Sequence, residues 1–268
     1  NSVKGDDIEK TVALAVAFEL IHTGSLIHDD INDQSGLRRG MVSAYKKFGT
    51  SSALLTGDYV FIKGFDLVKE YDKEIIDTVV DSCITMAGGE VLQSQRKTDL
   101  DLTEEEYLSI IEEKTAVSIS ASAKCGGMLA GGTAAQIDNL AGYGLNVGIG
   151  FQIMDDILDV VGTEHLTGKV VGNDLREGKL TILAIHALRH TNSRDCGRLK
   201  KILVKRNNTK VEITEAIRIF KDAGSIDYAL NLCKKYGEKA KGLVLDLPRA
   251  KGKKGLVQLA DFTVSRNC

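Results

Sequence analysis

Proline and tryptophan are nearly absent from this chain of 268 residues, which has one proline, Pro248, and no tryptophan. Aromatic residues make up only 5% of the chain, whereas 43% of the residues are hydrophobic. Strands and turns usually bring more prolines and aromatic residues, and repeated segments rich in Ala, Leu and Ile with periodic charges are typical of helices. The sequence therefore predicts an all-α protein.

A strong excess of charge of either sign is also lacking, since the formal net charge is −2 and the pI is about 6.3. Proteins that bind nucleic acids usually carry a basic stripe interleaved with aromatic residues, and the sequence has no such stripe. We therefore expect no nucleic-acid partner.

Paired cysteines and long apolar runs are missing as well. The five cysteines are widely spaced and never form a Cys-x-x-Cys pair, which argues against a disulfide framework and against a zinc site. The most apolar early segment, residues 11–21, is too short to span a bilayer and contains Glu19, and no signal-peptide pattern precedes it. We expect no transmembrane segment and a cytoplasmic location.

Helical periodicity is present along most of the chain. Apolar positions such as Val12, Val16 and Leu20 predict a first helix over residues 8–30. Further helices are predicted at residues 51–69, 73–95, 103–124, 137–161, 181–189, 214–221, 225–245 and 255–265. Gly126-Gly127 and Gly131-Gly132 predict a turn, and residues 34–40 predict a loop. Because no linker interrupts the series, we predict one helical domain over residues 1–268.

Two stretches of the chain repeat one pattern of carboxylates. The first cluster consists of Asp29, Asp30 and Asp33, and the second cluster consists of Asp155, Asp156 and Asp159. Within a helix, residues four positions apart share a face, so each stretch projects at least two carboxylates in one direction. Such like-charged pairs cost roughly 0.2–0.5 kcal/mol each in a helix, and more when apolar neighbours exclude water. A cation is therefore expected at each cluster.

Mg²⁺ is the ion that these ligands favour. The clusters offer hard carboxylate oxygens without Cys or His, and Mg²⁺ commonly binds one or two carboxylates together with phosphate oxygens and water. If the two clusters face one cavity, the ions between them would bind a diphosphate. Such a site suits departure of a diphosphate from a carbon chain, because metal ions and cations stabilise the charge that develops on the leaving group.

Five basic residues near the clusters or between them would supply direct phosphate contacts. They are Arg38, Arg39, Lys114, Lys169 and Lys179.

The motifs around these residues resemble those of the trans-isoprenyl diphosphate synthases, which extend allylic diphosphates with isopentenyl diphosphate. The segment from Glu19 to Asp30, followed by Arg38-Arg39-Gly40, is similar to the first aspartate-rich region of that family. The segment from Gly150 to Asp159 is similar to the second. Lys114-Thr115, Gly168-Lys169 and the segment from Asp174 to Thr181 match further family motifs.

The resemblance implies a single-domain, isoprenoid-synthase-type helical bundle around a central cavity, active as a homodimer. It implies that Asp29 and Asp33 bind two Mg²⁺ ions and Asp155 a third, supported by Asp30, Asp156 and Asp159. The residues implied to hold the allylic diphosphate are Arg38, Lys114, Gln152, Lys169 and Lys179. Arg39 and His22 would contact isopentenyl diphosphate, and Phe151 would border the reacting carbons.

One departure concerns a Gly-Lys-x-Arg segment that the family carries well upstream of the first cluster. Only 28 residues precede Asp29, and that segment is not among them. We therefore expect the chain as given to lack the family's N-terminal helices. Two alternatives stay open, namely a class I terpene cyclase and a non-catalytic subunit of a heteromeric synthase.

Product length is predicted from the helix that carries the first cluster, since this helix lines the tunnel for the growing chain in the family. Gly24 and Ser25 are small, so a tunnel that is open there would pass a fifteen-carbon product and meet Ile21 or Phe18 deeper down. Five residues correspond to about 7.5 Å of helix. We predict geranylgeranyl diphosphate or a longer product.

Overall fold

The computed structural model describes residues 8–162, 172–205, 207–248 and 251–266. Their helices are α1 (Ile8–Asn32), α2 (Ala44–Phe48), α3 (Thr50–Val68), α4 (Lys73–Gln95), α5 (Glu104–Ile111), α6 (Val117–Leu129), α7 (Ala134–Val161), α8 (Asn173–Glu177), α9 (Ile182–His190), α10 (Ser193–Val204), α11 (Lys210–Asp222), α12 (Ser225–Leu243) and α13 (Lys251–Ser265). The antiparallel hairpin of β1 (Leu37–Arg38) and β2 (Met41–Val42) is the only sheet in these described ranges. The all-α prediction is confirmed.

Capping chemistry sets several of the helix starts. Thr103 accepts a hydrogen bond from the backbone N–H of Glu106 at 3.1 Å, and the Glu106 carboxylate accepts one from the N–H of Thr103 at 2.8 Å. This reciprocal capping box satisfies two backbone donors that the first turn of α5 would otherwise leave without partners. The helix start predicted from the sequence at Thr103 is therefore confirmed.

Three features differ from the sequence-based expectations. Gly126-Gly127 is not a turn, because α6 continues through both glycines and the chain turns only at Gly131, which has φ +65°. Helices α2, α8 and α10 were not predicted, and the predicted loop at residues 34–40 contains half of the hairpin. The hairpin turns at Arg39 and Gly40, whose φ angles of +51° and +76° are typical of a type I′ turn.

A π-helical segment, Glu112–Ala116, lies between α5 and α6. It fits between two other helices because glycines face it on both sides. A Cβ on Gly89 of α4 would lie 2.5 Å from the backbone nitrogen of Lys114, and one on Gly148 of α7 would lie 2.5 Å from Cα of Ala116. Single π turns inside helices are frequent at functional sites, and this one carries Lys114 and Thr115.

Helix α1 packs closely on α3 through small residues. Cβ atoms built on Gly24 and Gly64 would lie 3.0 Å from backbone carbonyl oxygens of the opposite helix, those of Gly57 and Ala17. Residues 17, 21, 24 and 28 recur at helical spacing and form the α3-facing side of α1. The first cluster, at the carboxyl end of α1, is thereby fixed relative to α3.

Helix α1 is also long and apolar enough to pass a length-and-composition test for a membrane span, with a mean hydropathy of 1.4 over its most apolar window. It is the single helix in the described part of the chain that does so. Bundle helices pass the same test, and α1 packs along α3 and carries Asp29 and Asp30. We therefore assign α1 to the helical bundle.

Candidate active site

A cavity of about 1310 Å³ lies between α1, α4, the α5–α6 region and α7. Both carboxylate clusters contribute to its lining. Asp29 and Asp33 line it from the carboxyl end of α1, and Asp155, Asp156 and Asp159 line it from α7. Their roles as metal ligands stay predictions, but the structure brings the two clusters to one cavity, as the sequence analysis requires.

The lining changes from charged to apolar along the cavity. On α4, Glu90 and Gln93 line it near the helix end, whereas Cys83 and Met86 line it two to three turns earlier. On α1, Phe18 lies 11 residues before Asp29, which corresponds to about 16 Å of helix. The same order on both helices gives the cavity one end for a charged group and one end for an apolar chain.

In the first cluster, Asp33 and Asp30 have different partners. Asp33 accepts a hydrogen bond from Lys179 at 2.6 Å and one from Lys97 at 3.2 Å. Burial alone would raise the pKa of Asp33, but the ammonium groups of Lys179, Lys114 and Lys97 together more than offset this, and the pKa lies below its usual value. Asp30 is only 3% exposed, is held by Arg38, and does not line the cavity.

Asp29 has a more apolar environment. Burial raises the pKa of Asp29, and this effect outweighs the lowering by the nearby Lys114 ammonium. The carboxylates of Glu90 and Asp33 raise it further. A divalent cation at Asp29 would remove this cost, because an adjacent positive charge favours the ionised carboxylate.

The second cluster also divides between different partners. Asp156 is only 4% exposed and accepts hydrogen bonds from Tyr107 Oη at 2.6 Å and Gln152 Nε2 at 2.9 Å. Burial and the nearby Asp174 carboxylate raise its pKa well above the usual value. Asp159 accepts bonds from the backbone N–H groups of Asn173 and Asp174, at 3.0 and 3.1 Å, at the start of α8.

Two of the three lysines predicted to bind the diphosphate line the cavity. Lys114 pairs with Glu90 and donates to Gln93 Oε1 at 2.8 Å, and it lines the cavity. Lys179 also lines it, and although burial would lower its pKa, the carboxylates of Asp174, Glu177 and Asp33 raise it above the usual value. Lys169 lies outside the described residues.

His22, Arg38 and Arg39 lie near one another beside the first cluster. His22 and Arg38 line the cavity, whereas Arg39 is exposed at the hairpin turn and does not line it. Burial lowers the pKa of His22 and outweighs the opposite effect of the nearby Glu19 carboxylate, and the positive charges of Arg39 and Arg38 lower the pKa further. These residues therefore form a cationic region that would attract an anionic group.

Two of the four predicted chain-length residues line the cavity, and their effect on product length stays a prediction. Phe18 and Ser25 line the cavity, together with His22 and Asp29 on the same helix face. Gly24 and Ile21 instead face α3, as the contacts of Gly24 with Gly57 and Phe61 and of Ile21 with Gly64 show. One residue is 100° of rotation on a helix, so neighbouring small residues need not face the same space.

Three residues at the site were not predicted from the sequence, namely Tyr107, Lys97 and Arg266. Arg266, just after α13, donates to Asp155 Oδ1 at 3.1 Å, and its guanidinium lies 3.9 Å from the centroid of the Phe151 ring. Nothing in the local sequence of Arg266 indicates this contact, because 111 residues separate it from Asp155.

The donor chemistry of the clusters fits a divalent cation shared with a ligand. Among the described residues, no group of three or more His, Cys, Asp or Glu side chains is placed to hold an ion by itself. The chain's own cations contact the carboxylates instead, with Lys97 and Lys179 on Asp33 and Arg266 on Asp155. Sites with one or two carboxylates completed by phosphate oxygens and water are typical of Mg²⁺.

Comparisons with known proteins give a consistent family match. Residues 1–220 match the family described as Polyprenyl synthetase. The chain is 39% identical over 267 residues to the short chain isoprenyl diphosphate synthase of Methanothermobacter thermautotrophicus, a match that covers 98% of this chain and 82% of that protein. It is 36% identical to the geranylgeranyl diphosphate synthase of Methanosarcina mazei, over 98% of this chain and 81% of that protein.

Solved structures agree with these matches. A polyprenyl synthase from Caulobacter crescentus, complexed with calcium and isoprenyl diphosphate, superposes with a TM-score of 0.95 at 36% identity, over 98% of this chain and 81% of that one. The geranylgeranyl pyrophosphate synthetase of Pyrococcus horikoshii superposes with a TM-score of 0.91 at 36% identity, over 100% of this chain and 83% of that one. The fold and the sequence therefore point to the same group of proteins.

Proposed function

Because the chain belongs to the polyprenyl synthetase family, whose members matched here are prenyl diphosphate synthases, we propose that it performs the Mg²⁺-dependent, head-to-tail condensation of isopentenyl diphosphate with an allylic diphosphate. The observation that carries the metal dependence is the pair of carboxylate clusters on one cavity, each contacted by the chain's own cations. Asp29, Asp33 and Asp155 are the proposed ligands, with Asp30, Asp156 and Asp159 in support. Three Mg²⁺ ions per site are proposed.

Bound Mg²⁺ would neutralise the diphosphate and so stabilise the negative charge that forms as the allylic carbon–oxygen bond breaks. The chain's lysines act on the same group: Lys114 and Lys179 line the cavity beside the clusters and would donate to diphosphate oxygens. Lys169 is proposed for the same role. The side chains of Lys114 and Lys179 are largely buried, so the charges of these two residues act with little screening by water.

The region next to the second cluster would border the reacting carbons. Thr115 donates to Gln152 Oε1 at 3.1 Å, and Gln152 in turn donates to Asp156. This chain of hydrogen bonds fixes the Gln152 side chain, and Phe151 adds an apolar surface on the same helix. Both features suit a site that orients an allylic cation and excludes water from it.

Isopentenyl diphosphate is proposed to bind at His22 and Arg39, and the neighbouring Arg38 is proposed to hold the allylic diphosphate. The lowered pKa of His22 reflects its burial and its nearness to both arginines. Arg38 is fixed by Asp30, with Nε to Oδ1 at 2.9 Å, so one guanidinium is oriented before the substrate arrives. An oriented guanidinium favours phosphate binding.

The product is proposed to be geranylgeranyl diphosphate or a longer polyprenyl diphosphate. The apolar end of the cavity carries Phe18, Ile62, Cys83, Met86 and Ile119. Because Ser25 rather than Gly24 lines the cavity between Asp29 and Phe18, the space beside Ser25 is proposed to admit the growing chain.

The direct test is incubation of the protein with isopentenyl diphosphate, Mg²⁺ and in turn dimethylallyl, geranyl and farnesyl diphosphate, followed by chromatography of the products. Elongation to twenty carbons or more that stops on addition of EDTA is expected. Cyclised hydrocarbon, or no turnover by a folded full-length chain, would contradict the proposal. Elongation that continues in EDTA would contradict the metal dependence alone.

A homodimer is proposed as the active assembly. Exposed apolar side chains cluster on α3, where Leu54, Leu55, Tyr59 and Ile62 are each at least 46% exposed. Burying such a surface against a second copy removes apolar area from water. Light scattering should give twice the chain mass, and Leu55→Glu should give a monomer. Val211→Glu, at an exposed position on α11, should leave the dimer intact.

A cytoplasmic location is proposed on the basis of the cysteines. Cys83, Cys125 and Cys196 are free thiols. Free thiols are compatible with a reducing compartment. Fractionation of cells that express the chain should recover the protein with soluble cytoplasmic markers, and recovery with the membrane fraction would contradict this.

A further inference from the structure

Two lysines from different parts of the chain bind the two oxygens of Asp33. Lys97 Nζ lies 3.2 Å from Oδ1, and Lys179 Nζ lies 2.6 Å from Oδ2. The side chains of Asp33, Lys179 and Lys97 are 10%, 15% and 19% exposed, so these contacts are more enclosed than ordinary surface ion pairs. Exposed ion pairs contribute little, whereas partly buried ones are screened much less.

The backbone holds the two lysines side by side. Thr98, which follows Lys97, donates its N–H to the carbonyl oxygen of Gly178, which precedes Lys179, at 3.0 Å. Thr98 has φ +63° and Gly178 has φ +71°. A non-glycine residue at such a φ is uncommon and carries strain, and it persists where the surrounding structure fixes it. The contact between these turns therefore places both ammonium groups at Asp33.

The two lysines differ in their access to the cavity. Lys179 lines the cavity, whereas Lys97 does not and approaches Asp33 from the turn after α4. When a diphosphate enters, Lys179 can exchange Asp33 for a phosphate oxygen without leaving its place. Because Lys97 does not line the cavity, it cannot make this exchange and stays on Oδ1 of Asp33.

We propose that Lys97 is a positioning residue that makes metal binding at Asp33 dependent on the diphosphate. The inference rests on the proposed function. A Mg²⁺ ion that arrives alone meets a carboxylate whose two oxygens are both occupied, Oδ1 by Lys97 and Oδ2 by Lys179. A Mg²⁺ ion that arrives with a diphosphate finds Oδ2 open, because Lys179 then contacts the diphosphate while Lys97 stays on Oδ1. By linkage, the diphosphate strengthens Mg²⁺ binding and Mg²⁺ strengthens diphosphate binding by the same factor.

The test measures Mg²⁺ binding by isothermal titration calorimetry, with and without inorganic pyrophosphate, in the wild-type protein and in Lys97→Met. In Lys97→Met, the affinity for Mg²⁺ alone should rise by about tenfold, because Oδ1 of Asp33 is then open even when no diphosphate draws Lys179 away from Oδ2. The factor by which pyrophosphate strengthens Mg²⁺ binding should fall. The Mg²⁺ concentration for half-maximal elongation should fall as well.

Two variants serve as controls. Lys97→Arg keeps the positive charge at Asp33 and should behave like the wild type. Lys73→Met removes the same charge from an exposed ion pair with Asp77 on the first turn of α4, and it should leave Mg²⁺ binding unchanged. Circular dichroism and the melting temperature confirm that each variant is folded, and Lys97→Gln replaces Lys97→Met if the latter does not fold.

Unchanged or weaker binding of Mg²⁺ alone in a folded Lys97 variant would overturn the inference. This result is distinct from failure of the proposed function. If the wild-type protein does not bind Mg²⁺ even with pyrophosphate, both the proposed metal site and this inference fail. If the wild type binds Mg²⁺ with pyrophosphate and Lys97→Met is identical to it, only the inference about Lys97 fails.

Discussion

A Cβ atom built on Gly24 would lie 3.0 Å from the carbonyl oxygen of Gly57, so α1 and α3 approach each other closely at these two glycines. Ser25, the next residue, lines the cavity instead. Adjacent positions on α1 therefore have separate effects, the first on packing between the helices and the second on the space for the growing chain.

Ser25→Phe should shorten the product, because the aromatic ring would fill the cavity between Asp29 and Phe18. Product chromatography should show a shift toward fifteen carbons or fewer, with the melting temperature nearly unchanged. Gly24→Ala is the control: its methyl group meets backbone that cannot rotate away, and overpacking of this kind costs about 1–3 kcal/mol. It should lower the melting temperature and keep the product length. This assignment of faces would be contradicted if Gly24→Ala shortened the product and Ser25→Phe left the product length unchanged.

Asp29 and Asp30 are neighbours in one motif but should respond differently to removal of their charge. Asp29→Asn should lower kcat by about 10²–10³, the size of losses on removing one group that stabilises developing charge. Higher Mg²⁺ should restore part of the activity. Steady-state kinetics at several Mg²⁺ concentrations measures this.

Asp30→Asn should act through Arg38, since Asp30 is buried against that guanidinium and does not line the cavity. The expected results are a raised KM for the allylic diphosphate and a loss of about 1–3 kcal/mol in the free energy of unfolding, as for other hydrogen bonds to charged groups. Equal loss of kcat in both variants, with equal Mg²⁺ dependence, would show that both residues are ligands.

Much of the fold and the position of the site follow from the sequence for identifiable reasons. The repeated aspartates on two long helices carry a strong local signal, since their charge repulsion needs a cation whatever the surrounding fold. Helix starts such as Thr103 are equally local, because the capping box lies within four residues. The helices that carry the two clusters and the helix that starts after Thr103 were predicted correctly, and both clusters line one cavity.

The features that could not be predicted depend on contacts between distant parts of the chain. Gly127 resembles a turn residue, but it lies within α6, where its missing side chain makes room for Leu140 of α7. Lys97 contacts Asp33 across 64 residues and Arg266 contacts Asp155 across 111 residues. The packing of Gly24 against α3 could not be predicted either, because the small size of a residue does not say which neighbour requires it.

Tyr107→Phe should weaken the support of the second cluster. Its hydroxyl donates to the buried Asp156 carboxylate at 2.6 Å, and removal of one partner of a buried group costs about 1–3 kcal/mol. We expect a lower free energy of unfolding in urea and a lower kcat, because Gln152 is held by the same carboxylate. Tyr143→Phe is the matched control, since Tyr143 Oη donates at 2.7 Å to the carbonyl oxygen of Leu256, away from the cavity. It should lose stability without losing kcat, and a similar loss of kcat in both variants would refute the specific role of Tyr107.

His22 should titrate in the folded protein with a midpoint below 6.5, because burial and the charges of Arg39 and Arg38 disfavour its protonated form. Since the folded pKa lies below the unfolded one, the stability that this residue contributes is present above pH 6.5 and is lost as the pH falls through the folded pKa. Proton NMR of the ring resonances measures the midpoint. Isopentenyl diphosphate should raise it, because a bound anion favours the imidazolium ion. The ring resonances of His190, which is exposed on α9 and does not line the cavity, should not respond to the ligand. A midpoint that does not move on saturation with isopentenyl diphosphate would exclude His22 from the proposed binding site for that substrate.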